Sequence, residues 1–187
     1  SSMRFNKHWN LEGSHAYFGA SKYHWIRYDD SKMQNVFMNQ FESQLGNRKH
    51  AWAAEAINLG LRQAKTKKTL NMYINDAIGF GMTPEVTLYF SSNFFGTADA
   101  ISFDKQTLRV SDLKTGKHPA SFDQTLIYCA LFCHEYGLNP YDIEMIMRIY
   151  QNDEILELVA NPEDVRDIMD KMKRWDPIIE DMKERML

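Results

Sequence analysis

Gly96-Thr97-Ala98-Asp99-Ala100-Ile101-Ser102-Phe103, then Asp104-Lys105-Gln106-Thr107, then Leu108-Arg109-Val110-Ser111-Asp112-Leu113-Lys114-Thr115-Gly116 reads as two strands joined by a polar turn. Side chains alternate faces along a strand, so Asp112 and Lys114 share a face. Centring the turn on Lys105-Gln106 pairs Phe103 with Leu108 and Ile101 with Val110 at an apolar end. The same register sets Asp99 opposite Asp112 and Thr97 opposite Lys114. Directly opposed strand residues have Cβ atoms about 4.5–5.5 Å apart, where like charges are destabilising, and aspartate is a poor strand residue. The two acids therefore need compensation, from a shared proton, from Lys114, or from a divalent cation bound by both. Oxygen ligands of this kind suit Mg²⁺ or Mn²⁺. The alternative is a surface hairpin whose acids face water, and a bulge or a one-residue slip would undo the register.

Outward from this hairpin the pattern is that of an α/β domain with a mixed sheet flanked by helices. Val86–Phe90 reads as a strand preceding the hairpin. Ser121–Tyr136 is apolar almost all round and long enough for a buried helix. Ile143–Tyr150 and Ile155–Val159 read as further strands, which makes the 121–136 helix a right-handed crossover between parallel neighbours. Asn161-Pro162-Glu163-Asp164 opens a last helix, with Asn as N-cap, Pro at the first position and acids in the first turn. On the N-terminal side, residues 1–20 read as irregular. Residues 21–80 read as helical: one helix carries Met33, Val36, Phe37 and Phe41 and stops at Gly46, a second runs from Ala51 to Leu61, and a third from Leu70 to about Phe80. The expected organisation is one domain over 1–187, with a sheet and crossover helix at 84–160 and a C-terminal helix at 162–187. Ser1-Ser2-Met3 has the look of a cloning remnant.

The net charge of −3 argues against a protein that coats nucleic acid by bulk charge, so contact with a polyanion must use a local patch or bound metal. Arg62, Lys65, Lys67 and Lys68 form one such patch, or a solvated helix end. Lys114, Lys117 and His118 form another. No apolar stretch approaches membrane-spanning length. Cys129 and Cys133 read as reduced core thiols, which fits an intracellular, cytoplasmic setting. Two cysteines cannot supply the four thiolates of a usual iron–sulfur cluster.

Gly96-Thr97-Ala98-Asp99 followed by Asp112-Leu113-Lys114-Thr115-Gly116 resembles the second and third motifs of RecB-like PD-(D/E)XK nucleases. Upstream, His50 on a helix resembles that branch's histidine. Downstream, Gln124 and Tyr128, one helical turn apart, resemble its Gln-x-x-x-Tyr motif. The resemblance covers about Gly46 to Gln151 and implies a PD-(D/E)XK, restriction-endonuclease-like core. It implies that Asp99, Asp112, His50 and the main-chain carbonyl of Leu113 ligate one or two Mg²⁺ or Mn²⁺ ions. Lys114 would orient the attacking water and steady the phosphate, while Gln124 and Tyr128 would position the substrate backbone or the site. The chain lacks the four-cysteine cluster of the CRISPR-associated relatives.

Several residues support this set or pack beside it. Glu55 lies five positions from His50, about 140° around the helix, so it does not share the histidine's face. Glu85 precedes the first strand. Both are candidates to support the metal ligands, and Lys117 and His118 are candidates to touch DNA. His134 and Glu135 read as exposed and inert. The resemblance implies a metal-dependent deoxyribonuclease, an exonuclease more than an endonuclease, acting on DNA in recombination, repair or phage DNA metabolism, with a recombination or annealing protein as a further partner and no membrane. The rivals are a non-catalytic nucleic-acid- or protein-binding module on the same fold, and a metal-dependent enzyme acting on another phosphate ester.

Overall fold

The hairpin forms in the register set by its turn as far as Ala100 and Ser111, and the Asp99–Asp112 and Thr97–Lys114 pairs expected beyond that point are not made. In the computed structural model, which describes residues 2–187, β1 (Thr83–Ser91), β2 (Phe94–Asp104) and β3 (Thr107–Leu113) precede helix α3 (Asp123–Tyr136). β2 and β3 are antiparallel, pairing Asp104 with Thr107, Phe103 with Leu108, Ile101 with Val110 and Ala100 with Ser111. Lys105 and Gln106 both take positive φ, 49° and 64°, the twist a two-residue hairpin turn demands. β1 adds antiparallel to β2. After α3, β4 (Glu144–Gln151) lies parallel to β3, and β5 (Glu154–Val159) returns antiparallel on β4. The result is a mixed five-stranded sheet in the order β1-β2-β3-β4-β5, an α/β fold with α3 as the crossover that a parallel pair requires.

Alternation along the strands feeds two cores. Leu108, Val110, Met145 and Met147 pack with Tyr128–Cys133 of α3 and with Val165 and Met172 of α4 (Pro162–Met186). Ala100, Leu113 and Tyr150 pack on the other face with Ala53, Ala56 and Ile57 of α1 (Asp30–Leu59) and Tyr73, Ile74 and Ala77 of α2 (Thr69–Gly79). Asp112 falls between these sets on a buried strand. Asn161 caps α4 as expected, its Oδ1 accepting from Glu163 N at 2.9 Å.

Two N-terminal expectations are corrected. The helix expected to stop at Gly46 continues through it, and α1 is a single helix. A glycine inside a helix costs about 1 kcal/mol relative to alanine, too little to interrupt a helix flanked by good formers, and Gly46 is buried. The stop is Gly60, at φ 66°, where Gly60 N donates to Ile57 O and Leu61 N to Ala56 O. This is a Schellman closure, so Leu61 lies outside the helix. In the C-terminal half, Glu135 is exposed as expected and His134 is partly buried, and both make structural contacts. His134 Nε2 lies 3.0 Å from Met169 O and the ring stacks on Phe90, while Glu135 Oε1 accepts from Tyr89 N at 2.7 Å.

The chain divides into two compact units, one ending at Asn47 and one spanning Arg48–Leu187. In the first, Asp29 Oδ1 caps α1 by accepting from Lys32 N, Tyr17 donates to Gln44 Oε1, and Tyr17 packs edge-on against Phe37. The second holds the whole sheet. Cys129 and Cys133 are free and buried, and burial pushes the Cys133 thiol up to about 11. Among the described residues no helix is long and apolar enough to cross a membrane.

Candidate active site

At the open end of the hairpin the ladder breaks around Asp99. Pairing of β2 with β3 ends at Ala100 and Ser111. Pairing of β1 with β2 passes from Pro84–Ala100 to Val86–Ala98, and the skipped residue on β1, Glu85, holds φ at 51°. A non-glycine residue in this region costs about 1–3 kcal/mol and persists only where its surroundings hold it there. Asp99 supplies the acceptor that the broken ladder lacks: its Oδ2 takes the Leu113 N–H at 2.8 Å. On the other side Lys114 N donates to Tyr150 O at 2.9 Å. β3 is therefore held to β4 at the point where it leaves β2.

This geometry turns Asp99 toward Asp112. Asp112 is 2 % exposed. Burial first, then the hydrogen bond and charge of Asp99, push its carboxyl up to about 7, with Lys114 opposing. Burial works on Asp99 in the same direction, but hydrogen bonds with His50, Asp112 and the Leu113 N–H, and the charge of His50, hold it below the usual carboxylate range. His50 is half-buried, its Nδ1 3.4 Å from Asp99 Oδ1. The hydrogen bond to Asp99 raises its pKa, against burial and with help from the charges of Asp99 and Asp112. The two carboxyls are thus driven apart, Asp112 up and Asp99 down, as in a pair of acids close enough to disfavour double ionisation, and His50 lies beside Asp99 as its partner.

Lys114 completes the cluster. Its Nζ sits 3.1 Å from Asp112 Oδ2 but is aimed at Gln124 Oε1, to which it donates at 2.6 Å. Asp112 Oδ2 is consequently a buried oxygen with no hydrogen-bond partner among the described residues. Gln124 Nε2 donates to Tyr128 Oη at 2.9 Å, and Tyr128 Oη donates to Thr97 O at 2.8 Å. The lysine is thus tied through one turn of α3 back to β2. Gly96 allows the close approach, since a Cβ there would meet Tyr128 Cε1 at 3.1 Å.

His50, Asp99, Asp112, Leu113, Lys114, Gln124 and Tyr128 all meet here. Glu85 is exposed but close enough for its charge to act, with those of Asp99 and Asp112, on Tyr73. Glu55 is exposed and makes no ion pair or side-chain hydrogen bond among the described residues. Lys117 and His118 are exposed on a loop whose carbonyls, with that of Gly116, are held by Gln151 and Asn152. Sequence reasoning missed Tyr73, whose hydroxyl is raised by burial and by the acids above it. On an apolar helix face it reads simply as core.

The residues present fit a hard divalent cation. Among the described residues no three His, Cys, Asp or Glu side chains stand gathered as a ready ligand set. The fit rests on a facing carboxylate pair with one buried, unsatisfied oxygen, and such ions characteristically use one or two protein carboxylates, with water and phosphate filling the rest. Residues 20–187 match the family model of the PD-(D/E)XK nuclease superfamily. No curated protein matches the chain.

Proposed function

Because this chain belongs to the PD-(D/E)XK nuclease superfamily, whose members generally use divalent metal ions, we propose that it hydrolyses DNA phosphodiesters with Mg²⁺ or Mn²⁺, as an exonuclease of the RecB-like, phage-type branch. The observation that carries this reading is Asp112: a buried carboxylate set against Asp99, whose Oδ2 has no hydrogen-bond partner among the described residues and only the Lys114 ammonium, at 3.1 Å, to offset its charge. A fold does not keep such a group for stability. Asp99, Asp112 and the Leu113 carbonyl would hold the ion, and His50 would join them by releasing Asp99. When bound, the ion supplies Lewis-acid polarisation of the phosphoryl oxygens and a lowered pKa for attached water.

The chain's own groups do the positioning. Lys114, fixed by Gln124 Oε1 at 2.6 Å, points its Nζ at the edge of the carboxylate pair. There it orients the attacking water and offsets negative charge that grows on the phosphate. Gln124 and Tyr128 hold that nitrogen through their link to Thr97. A recombination or annealing protein as partner and an intracellular, phage-type setting belong to the same reading, supported by the branch resemblance and by the two buried free thiols.

The test is cleavage of end-labelled linear and closed circular DNA with Mg²⁺, with Mn²⁺ and with chelator, wild type beside Asp112→Asn. Metal-dependent loss of linear DNA alone, absent in the variant, is the expected result. DNA that is bound but never cut under any metal would replace this reading with that of a binding module.

A further inference from the structure

We infer that the loop joining α1 to α2, residues 61–68, is a rail for the phosphate backbone of the nucleic acid, continuous with the lysine loop beside the carboxylates. The inference rests on the nuclease reading above and says where its substrate runs.

The loop is built without using its charges. Asn75, on α2, accepts from Gln63 N at 2.7 Å and donates to Gln63 O at 3.0 Å. Asn71, one turn earlier, donates to Ala64 O and to Thr66 Oγ1. The backbone is thereby ordered by two amides. Arg62, Lys65, Lys67 and Lys68 are all exposed, and among the described residues none of their side chains enters an ion pair or hydrogen bond. The neighbouring cation behaves differently: Arg148 is spent on Asp76 and Glu157. Arg62, Lys65 and Lys67 line a cleft of 690 Å³. Asp76, which lines the same cleft, is taken up by Arg148 and Tyr150, so four like charges on one short ordered loop are left to repel one another unless an anion is supplied from outside.

Hydrogen bonds connect this loop to the active site. Thr69, at the start of α2, exchanges hydrogen bonds with Asp153: Thr69 N donates to Asp153 Oδ1 at 3.0 Å, and Asp153 N donates to Thr69 Oγ1 at 2.7 Å. This occupies the one acid that faces the loop from the β4–β5 turn. In the same turn Asn152 Nδ2 donates to Lys117 O, and Gln151 Nε2 donates to Gly116 O and His118 O. Asn152 and Asp153 both take positive φ, 51° and 60°, the tight turn that places them between the two loops. Lys117, Lys68, Lys67, Lys65 and Arg62 therefore sit on two loops stitched together through residues 151–153, with Lys114, paired to Asp112, at the active-site end. Unpaired lysine and arginine on ordered backbone contact phosphates without reading bases, which suits an enzyme that must travel along any sequence.

The test compares wild type with Arg62→Ala/Lys65→Ala/Lys67→Ala/Lys68→Ala on linear duplexes of graded length, across salt. A control variant removes equal charge from α4, Arg166→Ala/Lys171→Ala/Lys173→Ala/Arg174→Ala. The expected result is a KM at least about tenfold higher on long duplexes only, kcat within about twofold, and a log–log salt slope shallower by roughly 3–4. Equal KM at every length, or the same loss in the control, overturns the rail. If wild type cuts no DNA the nuclease reading fails separately. Duplex affinity in chelator then decides the rail, upheld by loss in the loop variant alone and overturned by equal affinity in all three proteins or by no binding at all.

Discussion

The two ends of the β2–β3 hairpin share their strands and differ in almost everything else. At the closed end the ladder is complete to Asp104 and Thr107, Leu108 is fully buried, and Phe103 packs against Phe132 of α3. Burying a side chain such as Leu108 contributes about 1.5–3 kcal/mol. At the open end the ladder stops short of Asp99, Glu85 is left-handed, and Asp112 is buried with an unsatisfied oxygen. The closed end holds the fold together, while the open end is held in a costly arrangement by it. Local violations of good strand chemistry that survive inside a well-paired sheet mark where chemistry is done.

Lys114→Ala is the largest test of that division. It removes the group aimed at the reacting edge, and with it the ammonium 3.1 Å from Asp112 Oδ2, but keeps both carboxylates and leaves the closed end alone. The expected outcome is a kcat lowered about 10²–10⁴-fold, the range for losing a positioned proton-handling or charge-stabilising group, while Mn²⁺ still raises the melting temperature. Equal loss of the metal-dependent shift would move Lys114 from the chemistry to the support of the acids.

Asp112→Asn tests the cost of the open end with metal excluded. Asp112 binds its proton more tightly in the folded chain, at about 7, than at its ordinary 3.8. Its favourable contribution is therefore complete below about 4 and disappears as pH rises through about 7. His50, raised above 6.5, adds a loss in the same direction near neutrality. Asp99, lowered, contributes stability that is lost only in acid. In chelator, wild type is expected to melt lower at pH 8 than at pH 5. Asn at 112 should flatten that fall and stabilise the chain at pH 8 by about 1–3 kcal/mol, leaving the smaller His50 slope. An unchanged pH dependence would mean that no proton is shared.

Much of this was legible in sequence because it is local. A period of two and a polar turn set the register as far as Ala100–Ser111, just short of the two acids, and one helical turn puts Gln124 and Tyr128 together. What was not legible depends on distant partners. Nothing near Asp99 signals that its carboxylate takes the Leu113 N–H, or that Glu85 lies left-handed beside it. Gly46 reads as a stop by its own propensity, and only the packed helix around it shows otherwise. The amides of Asn71 and Asn75 look like ordinary helix-surface residues until the 61–68 loop folds onto them.

Gly96→Ala sharpens the comparison from beyond the open end, where β2 runs on past Asp99 paired with β1 alone. Its new Cβ would press Tyr128 at 3.1 Å, and the ring can yield only by moving the Gln124–Lys114 chain. The expected cost is about 1–2 kcal/mol of stability, as for modest overpacking, with kcat falling about tenfold and KM unchanged. Adding Tyr128→Leu should remove the stability penalty of the alanine without restoring kcat. Additive losses in the double variant would show that the glycine does not act through the tyrosine.

The smallest effect uses one substitution at both ends. Gln106 sits in the turn at φ 64° and Glu85 in the broken ladder at φ 51°. An L-residue there costs roughly 1–2 kcal/mol that glycine avoids, part of which glycine returns through greater freedom in the unfolded chain. Gln106→Gly should therefore raise stability by about 0.5–1 kcal/mol and leave kcat unchanged, since the turn touches nothing at the open end. Glu85→Gly relieves the same backbone strain by about the same amount, but it also removes a carboxylate whose charge reaches Tyr73 among the acids. A gain in melting temperature with a several-fold loss of activity would show that its strain is retained for the site. A gain with full activity would reduce Glu85 to a residue that merely lets β1 pass the break at Asp99.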